Sequence, residues 1–102
     1  MSTYAFKEWP LMYYTLKRGV FMSDIQLNSV FVGKAISKAR QSKGITQEVL
    51  SGLADIGRTH LSAIERGERK PTLETLWRIS MALDMRPNEL VRKIEHEIEE
   101  SC

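Results

Sequence analysis

TQEVLSGLADIGRTHLSAIER, residues 46–66, is the stretch on which the reading of this chain turns. Thr46 is placed to cap a helix, because its hydroxyl can accept from a free backbone N–H of the first turn. Leu50, Leu53 and Ala54 follow at helical spacing. Asp55-Ile56-Gly57 then interrupts the helix, since Asp tolerates a positive φ and Gly permits it freely. A second helix resumes at Arg58 and runs toward Gly67, with Leu61 and Ile64 turned inward. Two short helices joined by a tight turn, the second opening on basic and polar residues, make a helix-turn-helix. That is the plan by which a helix enters a DNA major groove.

The surrounding sequence extends the pattern in both directions. Asn28 or Ser29 caps an upstream helix whose apolar positions Val32, Ala35, Ile36 and Ala39 follow the i, i+3, i+4, i+7 rule. Lys34, Lys38 and Lys43 lie off that stripe, and Gly44 is a natural stop. Downstream, Gly67-Glu68-Arg69-Lys70-Pro71 is a polar, basic loop. Thr72 caps a fourth helix with Leu73, Leu76, Ile79, Ser80 and Leu83 on its inner face. Asp84 to Arg86 form a break, and Pro87 suits the first position of a fifth helix. There Leu90, Val91, Ile94 and Ile98 recur every three or four residues. No segment alternates as a strand would, so the expected class is all-α, with five helices.

Bulk properties bound the function. The 102 residues, 42% hydrophobic and 27% charged, make one domain with one core. The net charge of +2 is small, but it is unevenly spread: residues 34–70 hold eight Lys/Arg against four Asp/Glu, and residues 89–102 hold two against five. One end suits phosphates and the other does not. Cys102 is the only cysteine, so no internal disulfide forms, which fits a reducing, cytoplasmic setting. No apolar run approaches the ~18 residues of a membrane span. Residues 1–21 carry six of the eight aromatics and no clean period. They read as an arm covering an apolar patch, or as a translated leader ahead of Met22-Ser23-Asp24. The expected division is an arm or leader at 1–27, the helical domain at 28–98 and a tail at 99–102.

Across residues 30–95 the chain resembles the Cro/C1-type helix-turn-helix domain, the XRE family of bacterial and phage regulators. The carriers are RQSKGITQ from Arg40 to Gln47, Leu50, the turn, LSAIERGERKPTLETL from Leu61 to Leu76, and the closing MALDMRPNEL. Within the family it looks most like short single-domain regulators, among them controllers of restriction–modification genes and phage repressors. The resemblance implies a lambda-repressor-like fold of five helices and a transcription regulator without a cofactor.

It also implies roles for particular residues. Gln47 would hydrogen-bond a phosphate, and Arg58 and Thr59 would reach base edges. Ser62, one turn on, would face the same groove or its wall, and Arg69 and Lys70 would border the DNA backbone. Arg40 and Glu65 match a pair that braces the first helix against the third. Gly57 stands where the family often has a capping Ser or Asp. His60 is either a packed ring or a DNA contact, and no metal role fits it, because His96 is far along the chain. Glu65 has no partner acid, base or nucleophile, so it supports no reaction and no enzyme reading.

Two readings of partnership follow. The apolar stripe Leu90, Val91, Ile94 and Ile98, joined by Trp77 and Met81, is long enough to pair two copies into a homodimer on a palindromic operator. Alternatively, the chain is an antitoxin-type interaction module that masks a toxin and regulates its own operon. The aromatic arm and the apolar Val49 and Leu53 would serve that role. Glu48 could belong to an acidic patch touching RNA polymerase, although Gly52 supplies no second acid.

Overall fold

In a computed structural model, residues 27–101 are described and fold as five helices with no strand among them. They are α1 (Ser29–Ser42), α2 (Gln47–Ala54), α3 (Arg58–Glu65), α4 (Leu73–Ala82) and α5 (Pro87–Glu100). The arm or leader assigned to residues 1–21, and Cys102, lie outside the described residues.

Helix starts are set by local chemistry. The Asn28 side chain accepts from Val30 N at 2.9 Å, Thr46 from Val49 N at 3.1 Å and Thr72 from Thr75 N at 3.1 Å. Ser29, the other candidate cap for α1, instead donates its hydroxyl to the Gly67 carbonyl at 2.7 Å. That bond ties the start of α1 to the loop after α3. Pro87 opens α5, and the Arg86 N–H is satisfied by Glu89 at 2.9 Å.

The core is one cluster fed by every helix. Val32, Ala35, Ile36 and Ala39 come from α1, Leu50 and Ala54 from α2, Leu61 and Ile64 from α3. Ile79, Leu83, Met85, Leu90 and Ile94 complete it. α1 packs on α5 and α3, while α2 packs on α4 and α3. The helix that would read DNA is therefore held from behind by two others.

Leu53, offered with Val49 as a partner-facing apolar residue, is 64% exposed: the short α2 buries Leu50, Ser51 and Ala54, and Leu53 falls beside that stripe. One expectation about an inner face is corrected. Leu73 is 73% exposed: it is the first residue after the Thr72 cap and points away from the core that Ile79 and Leu83 enter.

Gly33 is the tightest point of the packing. A Cβ there would sit 2.3 Å from the Ile64 carbonyl oxygen and 2.6 Å from that of Glu65. Only the missing side chain lets α1 cross so close to the end of α3. Gly67 combines a φ of +79° with a similarly close approach to the Val30 backbone.

Candidate nucleic-acid interface

The turn that aims α3 is built from Asp55, not from glycine. Asp55 ends α2 in the left-handed region at φ 56°, whereas Gly57 has an ordinary φ of −69° and acts as the N-cap of α3. Gly57 provides no side-chain cap, so the first amides of α3 keep their donors free. Arg78 of α4 steadies the turn by donating to the Asp55 carbonyl at 3.3 Å.

Arg58 and Thr59 stand exposed on the first turn of α3, and His60 behind them is half-buried. Ser62 is half-buried one turn later, and Arg69 and Lys70 are exposed in the loop that follows α3. The resulting surface is a basic edge at the start of α3 and another beyond its end.

Behind this surface lies a charged brace. Arg40 of α1 donates from Nε to Glu65 Oε2 at 2.8 Å and from Nη2 to Oε1 at 3.0 Å. Its third nitrogen donates to the Ile45 carbonyl at 2.9 Å. The two side chains are only 14% and 5% exposed. A fork-to-fork pair fixes both distance and rotation between the helices, which a single point charge could not do.

Gln47 joins the same brace, because its side-chain amide donates to Glu65 Oε1 at 3.0 Å. One amide N–H and the backbone N–H at the start of α2 are not used in that bond. Gln47 is therefore held in place by the residue that also holds Arg40.

The fifth-helix stripe divides, which removes Leu90 and Ile94 from the expected dimer face. Leu90 and Ile94 are 0% and 5% exposed within the single chain and close its core. They have no surface left for a second copy. Val91 is exposed, and Ile98 is half-buried against the core. Trp77 is exposed with Met81 and Leu53, and these three line a shallow cleft between α2 and α4 that Asp55 and Arg78 border.

Of the ion pairs that went unread in the sequence, two bear on how α1, α3 and α5 are held. Glu97, within the acidic run of α5, is nearly buried and bonded to Lys38 of α1 at 2.8 Å. That hydrogen bond holds the Glu97 carboxyl below the usual carboxylate range, against the opposing effect of burial, and raises the Lys38 ammonium in turn. At the end of α3, Arg66 donates to both carboxylate oxygens of Glu68 and to the Ser62 hydroxyl. The segment RGERK offers charges of both signs, so only the fold decides which of them pair.

Among the described residues no group of His, Cys, Asp or Glu is arranged to hold a metal ion, and no helix is long and apolar enough to cross a membrane.

Residues 36–90 match the family model described as Helix-turn-helix. A relative named as an uncharacterised helix-turn-helix transcriptional regulator of Sinorhizobium fredii is 38% identical over 60 residues, 59% of this chain and 78% of that protein. Control protein C.MunI of a Mycoplasma species is 35% identical over 77 residues, 74% of this chain and 100% of its own length. The restriction–modification controller C.Esp1396I, solved as a tetramer with its natural 35-base-pair operator, is similar at a TM-score of 0.66 and 31% identity, over 72% of this chain and 97% of that one.

Proposed function

We propose that this chain, which belongs to the Cro/C1-type helix-turn-helix family, is a transcription regulator that binds a palindromic operator as a homodimer. The observation that carries the reading is the contrast between the two ends of α3. Its start presents exposed Arg58 and Thr59, while its end is locked through Glu65 to α1 and α2. A reading helix must be held rigidly from behind and left open in front, because misplaced donors lose their base partners.

Arg58 reads guanine through its two-pronged fork, a contact that discriminates by ~1–3 kcal/mol. Thr59, Ser62 and the His60 ring line the groove beside it. Gln47, Arg69 and Lys70 position the protein on phosphates, which sets register without reading sequence. The operator found with C.Esp1396I supports duplex DNA as the ligand.

One copy of α3 reads only half a site. Trp77, Val91 and Ile98 supply the apolar area for a second copy, with Leu90 and Ile94 supporting them from the core. A two-fold pair then sets its reading helices ~34 Å apart, one turn of duplex. Footprinting on the DNA upstream of the chain's own gene tests this. The expected result is two protected half-sites related by two-fold symmetry and centred one turn apart. Protection no different from that of unrelated duplex would overturn it.

A second reading draws on the exposed apolar residues Val49, Leu53, Leu73, Trp77 and Met81, which lie on α2 and α4. Such residues mark a protein-binding face, and they support an antitoxin-type module that masks a protein partner. A small protein that co-purifies with the chain in fixed ratio favours that reading; a homodimer alone favours the regulator.

A further inference from the structure

We propose that Arg66 is a further DNA-contacting residue, held against Glu68 in the free protein and transferred to a backbone phosphate on binding. The proposal rests on the DNA-binding reading above. Arg58, Ser62 and Arg66 are spaced i, i+4, i+8, so at ~100° per residue they lie within an arc of about 80° on one side of α3. Arg66 thus continues the line of the two residues expected to enter the groove, at the end where the basic loop begins.

Its guanidinium is already arranged in the geometry that a phosphate needs. Nε and Nη2 donate to the two oxygens of Glu68 at 2.7 and 3.1 Å, and Nη1 donates to the Ser62 hydroxyl. A phosphate presents two oxygens to an Arg fork as a carboxylate does, so one can replace the other with little movement of the side chain. Both members of the pair are more than half exposed, at 53% and 59%. An exposed pair of this kind is weak enough to exchange.

The loop holds Glu68 in that position. The backbone N–H of Gly67 donates to Ile64 O at 3.0 Å and that of Glu68 to Ala63 O at 2.9 Å. Glu68 is the single acid within Arg66–Lys70, and Arg69 and Lys70 follow it directly. It acts as an internal competitor that lowers affinity for every duplex alike. Releasing Arg66 also frees the Ser62 hydroxyl oxygen, so reading and phosphate contact are coupled.

The test is titration of the full chain onto its upstream DNA and onto a random duplex, at 50 and 200 mM salt, with melting curves to check folding. Arg66→Ala should bind both duplexes more weakly. Its deficit relative to the unaltered chain should shrink about 3.5-fold between the two salts, the amount expected for one lost counterion-releasing contact. Glu68→Gln should bind both up to about fivefold more tightly. In the double variant that gain should vanish, because there is no guanidinium left to release. A gain of the same size in the double variant would overturn the proposal, since Glu68 would then act by its charge alone. So would an Arg66→Ala variant with unchanged affinity and salt slope. If the unaltered chain binds neither duplex, the DNA-binding reading falls and this one with it; if it binds and the variants match it, only this one falls.

Discussion

Replacing Glu65 by alanine should destabilise the fold before it alters any specific contact. The Glu65 carboxylate accepts three hydrogen bonds, two from Arg40 and one from Gln47, and is 5% exposed. Its removal leaves the Arg40 guanidinium, 14% exposed, with the Ile45 carbonyl as its remaining partner among these bonds, and strands the Gln47 amide. Orphaning one member of a buried pair costs ~3–5 kcal/mol. Domains of this size are stable by only ~5–15 kcal/mol, and each kcal/mol moves the midpoint by ~4–8 °C. Glu65→Ala should therefore melt at least ~12 °C lower by circular dichroism. Replacing Arg40 and Glu65 together by leucine should cost much less than either single change, because no charge is left uncompensated. A single variant that melts within ~3 °C of the unaltered chain, less than the shift from 1 kcal/mol, would refute this reasoning.

Other expectations follow from the packing. Gly33→Ala gains ~0.5–1 kcal/mol of helix propensity but drives a methyl into the Ile64 and Glu65 carbonyls. Overpacking of ~1–3 kcal/mol should win, and denaturant titration should give a net loss; a stabilised variant would contradict the close crossing of α1 and α3. For Glu97, a carboxyl held below its ordinary value of 4.5 adds stability above that pH and loses it as pH falls through the lower folded value. The stability gap between the unaltered chain and Glu97→Gln should thus be open at pH 7 and close on acidification below 4.5; a gap constant down to pH 3 would argue against the pair. Leu90→Ala should cost ~2–5 kcal/mol as a core truncation. Val91→Asp should weaken self-association in sedimentation while shifting folding stability by no more than ~0.5 kcal/mol; equal unfolding by both changes would show that Val91 also belongs to the core.

What could be read from the sequence was what is local. Thr46, Thr72 and Pro87 announce helix starts through bonds or φ preferences spanning three residues, and the five helices followed from them. Leu73 misled because periodicity defines an apolar stripe but not its width. In a ten-residue helix the neighbour packed against it decides which edge is covered. Leu90 and Val91 are adjacent and chemically alike, and only the placement of α1 against α5 sends one inward and leaves the other outside. Lys38 and Glu97 are 59 residues apart, so no local spacing could pair them. Gly33 carried no turn signal, because its role is to leave room for another helix. The Arg40–Glu65 pair, 25 residues apart, came from the family resemblance and not from spacing. The same is true of the roles given to Gln47, Arg58, Thr59 and Ser62. Exposure and position are consistent with those roles, and the bonds from Gln47 to Glu65 and from Arg66 to Ser62 add constraints that the motif did not reveal.

The most direct test of the central claim compares the unaltered chain with Arg58→Ala on its own upstream DNA and on random duplex of equal length, at matched salt. Arg58 is exposed at the helix start, so the fold should persist and non-specific affinity should fall only by the loss of one charge. Preference for the upstream site should drop by ~5–150-fold, the equivalent of a bidentate guanine contact worth ~1–3 kcal/mol. An unchanged ratio of specific to random affinity would contradict the assignment of α3 as the element that reads sequence.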